Sequence, residues 1–287
     1  MAHPPLQTFL RDTRAALARG PVAVIFAEDE VEIASTLRHH LDRGFRAIVL
    51  AAAPHVVLPS PLPPLVHAVT LDFGPENAVA DALNAIMRAA PQIWLYYGFN
   101  AEYLFYPFCE TRSVGEMTAF CLEERRHTVL TYVIDLYAAD LGRFPDAVSL
   151  ETAHLDRSGY YALARSLPEG GVAERQLDFF GGLRWRFEEH VPPARRRIDR
   201  VGLFLNKPGL VFRPDHTFSE AEYNTYACPW HHNVSAAICS FRTAKALKRN
   251  PGSTHAIGSF HWHNATPFRW HSQQLLDLGL MEPGQWF

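Results

Sequence analysis

The stretch Pro21–Leu50, "PVAVIFAEDEVEIASTLRHHLDRGFRAIVL", decides the fold. Its first six residues, Pro21 to Phe26, are a short apolar run rich in β-branched side chains. Val31, Ile33/Ala34, Leu37 and Leu41 then recur at helical spacing up to a stopping Gly44, and Phe45 to Leu50 is a second apolar run. Strand, helix and strand in this order predict parallel strands joined by a right-handed crossover. Downstream, Ala53–Pro64 is a proline-rich loop, 66–73 a third strand and 76–91 a helix ended by Pro91. "WLYYGFNAEYLFYP" (94–107) is then a fourth strand running into its exit loop. Ligands of open parallel sheets sit beyond the carboxyl ends of the strands. The loops at Ala27–Glu28–Asp29, Ala51–Ala52–Ala53 and Gly98–Tyr103 are therefore the expected walls of a site.

The rest of the chain is less regular. The pattern predicts a helix over 114–127, a strand over 128–138 and polar loops with short helical pieces over 139–180. It predicts a strand at "GGLRWRFE" (181–188), a basic loop at 192–199 and an apolar segment with a Pro-Gly break at 200–213. A helix over 233–250, a strand over 254–266 and a last helix near 268–278 follow. No internal repeat divides the chain. We expect one domain over 21–287 after an N-terminal helical extension (1–20), with one half near 21–110 and another near 111–287. The C-terminal "EPGQWF" is expected to pack on the body rather than dock a partner.

Composition excludes several classes. With 287 residues, 48% hydrophobic and 12% aromatic, the chain can bury a large core. Its 27 basic and 30 acidic side chains leave a formal charge of -3, so no global field draws in nucleic acid. Cys109, Cys121, Cys228 and Cys239 lack Cys-x-x-Cys spacing, which fits reduced thiols in a cytoplasm. The first twenty residues lack the apolar core of a secretory signal, and the most apolar tract, 47–69, is interrupted by prolines and histidines. A soluble cytoplasmic protein without a transmembrane segment is expected.

Three constellations carry candidate chemistry. Asn100 and Glu102 are an amide and a carboxylate placed where the apolar pattern of the fourth strand breaks. His231–His232–Asn233, His255, His261, His263 and His271 cluster in the last third, and His261 and His263 would share one face of a strand, with His231 or His232 as a third metal ligand. Most such histidines are packing or surface groups. Arg184 and Arg186, with the arginines of "ARRRIDR" (194–200), are candidates for anion binding, against the commoner reading of a solvated charge run. No Gly-x-Ser-x-Gly elbow is present, and the turn after the first strand is acidic "AEDE" where a dinucleotide loop would be glycine-rich.

Taken in order, these pieces resemble the family 2 type glycosyltransferases of the nucleotide-diphospho-sugar (GT-A-like) fold, in the branch whose signature runs Trp-x-x-x-x-Asp-x-Asp-Glu-Phe-Leu. The resemblance rests on 22–50, on the helix leading into "WLYYGFNAEYLFYP", on "DFFGGLRWRFEEH" and on "SFHWHNATPFRW". It implies a Rossmann-like, mostly parallel sheet flanked by helices, a nucleotide-sugar donor, a glycan or small-molecule acceptor and a manganese or magnesium ion. By the same resemblance, Glu28, Ala52, Asn100 and Arg184 would line the nucleotide. Asn100, Glu102, His232 and His263 would hold the metal, and Asp215, Glu220 or Glu222 would supply the base. The motif itself departs from the family. Aligned on its Glu-Phe-Leu end, Glu102–Tyr103–Leu104 match and the two aspartates become Phe99 and Ala101; aligned on the carboxylate spacing, the pair becomes Asn100 and Glu102. Two further readings stand beside a transferase: a catalytically inactive binding or scaffold protein of the same fold, and a histidine-based metal hydrolase.

Overall fold

The computed structural model describes residues 3–12, 14–167, 169–224 and 233–286. Its elements begin α1 (Leu6–Asp12), β1 (Val22–Ala27), α2 (Ile33–Asp42), β2 (Ala47–Ala52), β3 (Val66–Thr70), α3 (Ala78–Ala89), β4 (Trp94–Phe99), β5 (Glu102–Phe105) and α4 (Val114–Glu123). They continue with β6 (Thr128–Asp135), β7 (Tyr137–Ala138), β8 (Ala153–Asp156), β9 (Tyr161–Ser166), β10 (Val172–Phe180), α5 (Gly182–Arg186), β11 (Asp199–Leu205), β12 (Ala236–Ser240), α6 (Arg242–Arg249), β13 (Ala265–Pro267) and α7 (Ser272–Asp277). The chain is α/β and its main, eight-stranded sheet is mixed. It divides into two compact units, one of Met1–Tyr103, Cys109–Val129 and Val201–Asn224, the other of Leu104–Phe108, Leu130–Arg200 and Thr225–Phe287.

In the first unit the strands run β3-β2-β1-β4-β11. β1 is parallel to β2 and β4, and β2 to β3, as the strand-helix-strand pattern requires. Every residue of β1, β2 and β4 is buried, which is why these strands read as continuous apolar runs rather than alternations. The expectation of a mostly parallel sheet is corrected at β11, which pairs antiparallel to β4 with Leu203 opposite Tyr96. Periodicity marks a strand but carries no direction. α2 buries Ile33, Thr36, Leu37 and His40, the i, i+3, i+4, i+7 stripe of a helix lying on a sheet. α4 opens on a reciprocal capping box between Ser113 and Glu116. The N-terminal segment joins this unit: Thr70 N donates to Pro4 O at 2.9 Å, and Phe9 packs on His67.

His40 is a buried histidine held by one polar contact. Its Nδ1 lies 2.8 Å from Thr36 O, its ring stacks on Tyr96 at 5.0 Å, and its Nε2 has no hydrogen-bond partner among the described residues. Burial pushes its pKa down to about 4; Glu102 acts against that shift and Arg43 with it. An unfolded histidine titrates near 6.5. Above that pH both states are neutral; between 6.5 and about 4 only the unfolded chain takes the proton, so this group's contribution to stability is lost as pH falls through that window. The expected loss is about 3 kcal/mol by pH 4. Urea unfolding of wild type and His40→Leu between pH 7 and 4 checks it: the variant's stability should fall less steeply. Burial raises the carboxyls of Asp135 and Asp199, whose slopes have the opposite sign in both proteins, so the comparison is of slopes.

In the second unit β6 and β12 are parallel, with Ser240 opposite Asp135, and β7, β8 and β13 form a small antiparallel sheet. Four sequence expectations fail here, each for a physical reason. The first half of 233–250 is β12, because small apolar residues such as Ala236–Ser240 suit either state and pairing with β6 settles it. "GGLRWRFE" is not a strand but contains the whole of the short helix α5, whose first residue, Gly182, has φ +61. The interval 139–180 contains β8 and the β9–β10 hairpin rather than loops. Of 254–266, only the edge at Ala265–Pro267 is strand; the backbone from Ser253 closes turns onto Asn250 and Ser253 instead. Trp286 is buried against Tyr106 and Phe108, so "EPGQWF" packs as expected.

Candidate functional site

Strand order in the first unit places β2 on one side of β1 and β4 on the other. The carboxyl ends of β1 and β4 thus flank the point where the order reverses, the usual crevice for a ligand in an α/β sheet. Glu28 and Asp29 follow β1, and Asn100 follows β4. Phe26 and Phe99 are register partners, and Asn100 N donates to Phe26 O at 3.0 Å, so the two exits are held side by side.

The chemistry at that point is inward. Asn100 is 1% exposed; its Oδ1 accepts from Glu28 N at 3.0 Å, and its Nδ2 donates to Asp29 Oδ1 at 2.6 Å and to Val31 O at 2.8 Å. Asp29 Oδ1 also accepts from Val31 N at 2.9 Å. Both ends of one amide therefore fasten the acidic turn after β1. Ala101 has φ +59, its amide donates to Thr36 Oγ1 at 2.9 Å, and Glu102 Oε2 accepts from Phe99 N at 2.9 Å across the same turn. Glu102 is 1% exposed. Farther along, Ser35 Oγ lies 2.8 Å from the Tyr103 hydroxyl, whose pKa burial raises. Ala52 and Ala53 are buried methyl groups with no polar side-chain atom for a nucleotide.

A manganese or magnesium ion requires several oxygen ligands at close to 2 Å and room for water or phosphate in the remaining positions. Asn100 Oδ1 is aimed at an amide hydrogen, and Glu102 is enclosed and accepts from another. These residues do not fit that ion. Among the described residues no three His, Cys, Asp or Glu side chains converge as a metal site.

The other expected residues lie as follows. Glu28 is half-buried, and its backbone amide makes the bond to Asn100. Asp215 closes its own turn, accepting from Thr217 N at 3.0 Å and Thr217 Oγ1 at 2.7 Å. Glu220 pairs with Lys207, and Glu222 is exposed. His263 is exposed on an irregular segment with its ring 4.6 Å from that of Trp262, and His261 faces His154; the strand geometry that would aim both at one metal is not present. His231 and His232 lie outside the described residues. His271 caps α7, its Nδ1 accepting from Gln273 N at 3.1 Å.

The arginines are committed inside the second unit. Arg184 Nε donates to Thr243 Oγ1 at 3.1 Å and lies 3.8 Å from Asp135, while its Nη1 donates to Arg197 O. Arg186 pairs with Asp156 at 3.2 Å and lies over the Trp262 ring at 4.4 Å. In the basic run, Arg196 binds Glu188 and Val191 O, and Arg197 binds Asp178. Arg195 is exposed, so "ARRRIDR" is solvated in part and paired in part, and Arg184, the expected diphosphate clamp, makes contacts within the fold.

Sequence reading passed over Asp156 and Asp135. Asp156 is 1% exposed and accepts from Tyr137 Oη at 2.6 Å and Trp262 Nε1 at 2.7 Å in addition to Arg186. Asp135 ends β6, accepts from Leu183 N at 2.9 Å, and sits so close to Gly182 that a Cβ there would lie 2.8 Å from its Oδ2. The glycine pair "GG" before α5 is the one sequence signal for this packing. Comparison of the chain with protein-family models and with curated proteins finds no match.

Proposed function

We propose that this chain is a glycosyltransferase-like binding or scaffold protein, in which the corner that would hold a sugar-nucleotide metal serves as structure and metal-dependent transfer is lost. The observation that carries this reading is the commitment of Asn100: its carbonyl and both amide contacts fix Glu28, Asp29 and Val31. The resemblance near residue 100 and the position of Asn100 at the order reversal of the strands support the kinship. The absence of an open carboxylate pair there, the methyl groups at Ala52 and Ala53, and the internal pairing of Arg184 support the loss of donor chemistry. No helix among the described residues is long and apolar enough to cross a membrane.

Calorimetry with a panel of UDP- and GDP-sugars, with and without manganese, tests the proposal. No manganese-dependent heat and no release of nucleoside diphosphate are expected. Manganese-dependent binding of any donor, or turnover, overturns it in favour of a nucleotide-sugar transferase.

A further inference from the structure

We propose that the groove over α3, within the first unit, binds a short peptide, with the peptide's carboxylate at Arg88 and its amino terminus at Asp81. Two hollows of about 310 and 450 Å³ lie along this helix, and Gln7 and Arg88 line both. α1 forms one wall. The other is the turn at Gly209–Val211, which Asn84 fastens to the helix: its Nδ2 donates to Phe212 O at 2.8 Å and its Oδ1 accepts from Phe212 N at 2.9 Å. Hollows of this size hold small ligands. None of these residues belongs to the corner around Asn100.

Charge and length select the ligand. Arg88 is exposed, and its guanidinium has no hydrogen bond or ion pair with any described residue; the same holds for the carboxylate of Asp81. The two stand two helical turns apart on one face of α3, about 10 Å along its axis, too far to pair with each other. A simple anion would satisfy only Arg88 and a simple cation only Asp81. An extended tripeptide, about 10 Å long, presents a carboxylate to one and an ammonium to the other. The smaller hollow sets the direction: it is floored by Ala85 and Ala89, bordered by Arg11 and Arg88, and lined by no acidic side chain. Arg11 is already bonded to Asp12 at 2.7 Å, which leaves Arg88 as the available cation. Between the charges, the exposed amide of Gln7 faces the peptide backbone. Leu210 and Val211, the latter 48% exposed, offer an apolar surface to a central side chain.

Calorimetry of the full chain with the tripeptide Ala-Leu-Ala tests this, at low ionic strength because exposed charges are screened by salt. Binding is expected. N-acetylation or C-amidation of the peptide should each weaken it at least about tenfold, as the loss of a hydrogen bond to a charged group would. Arg88→Gln should abolish the preference for a free carboxylate, and Asp81→Asn the preference for a free amine, each with an unchanged far-UV spectrum. No heat at millimolar peptide, binding that both variants leave unchanged, or acetate binding as tightly as the tripeptide overturns the proposal; the last result would make the groove a site for anions alone.

Discussion

Asn100→Asp should destabilise the chain more than Asn100→Ala, although aspartate is the residue a metal-dependent transferase would prefer there. The amide nitrogen of Asn100 faces two acceptors, Asp29 Oδ1 and Val31 O, at 2.6 and 2.8 Å. An aspartate oxygen in that place meets both with lone pairs and adds a second carboxylate to a buried corner. The expected cost is about 3–5 kcal/mol at pH 7, the range for an uncompensated buried charge. Alanine removes the same contacts without adding charge, including the acceptor of Glu28 N, and should cost about 2–3 kcal/mol. Urea unfolding midpoints measure both. Burial and the neighbouring carboxylate raise the new aspartate's folded pKa, so its deficit should shrink as pH falls and it takes up a proton. Manganese should not restore the midpoint. Wild-type stability, or a manganese-dependent gain in Asn100→Asp, would show an open ligand position where we describe a clip.

The second large effect is expected at Asp156. Its carboxylate lies between the Tyr137 hydroxyl, the Trp262 indole N–H and the Arg186 guanidinium, and Arg186 is also held by Phe260 O at 2.7 Å. Asp156→Ala leaves a nearly buried cation without its counter-charge, the buried Tyr137 hydroxyl unbonded and the part-buried Trp262 indole N–H without its acceptor, at an expected cost of about 3–5 kcal/mol. Asp156→Asn keeps an acceptor for Tyr137 and Trp262 and should fall between. Thermal unfolding followed by near-UV circular dichroism, which reports aromatic packing, is the measurement; a loss below about 1 kcal/mol for the alanine variant would mean that these contacts are not what holds the region.

The legible part of the fold is the first hundred residues. There, buried parallel strands alternate with an amphipathic helix, so periodicity and length identify each element, as at Val22–Ala27 and Ile33–Asp42. Legibility declines where local preference is ambiguous. Ala236–Ser240 is helix-compatible by composition and becomes a strand by pairing with β6, while Leu183, Trp185 and Phe187 alternate like a strand behind a glycine that starts a helix. The antiparallel β11 was illegible for another reason, since direction is a property of connections and not of side-chain pattern.

At the candidate site, sequence alone determined that Asn100 and Glu102 stand at the exit of a buried strand, in an α/β chain with little net charge and a large apolar core. Only the tertiary structure decided what those two polar groups do. An amide or a carboxylate at a strand end binds whichever donors and acceptors the fold brings to it, and here those come from Glu28, Asp29 and Val31, distant in sequence, and from Phe99 within the turn. Residue type sets what a group is able to bind, but burial beside unsatisfied backbone amides determines what it does bind, because a buried donor without a partner is more costly than a ligand position forgone.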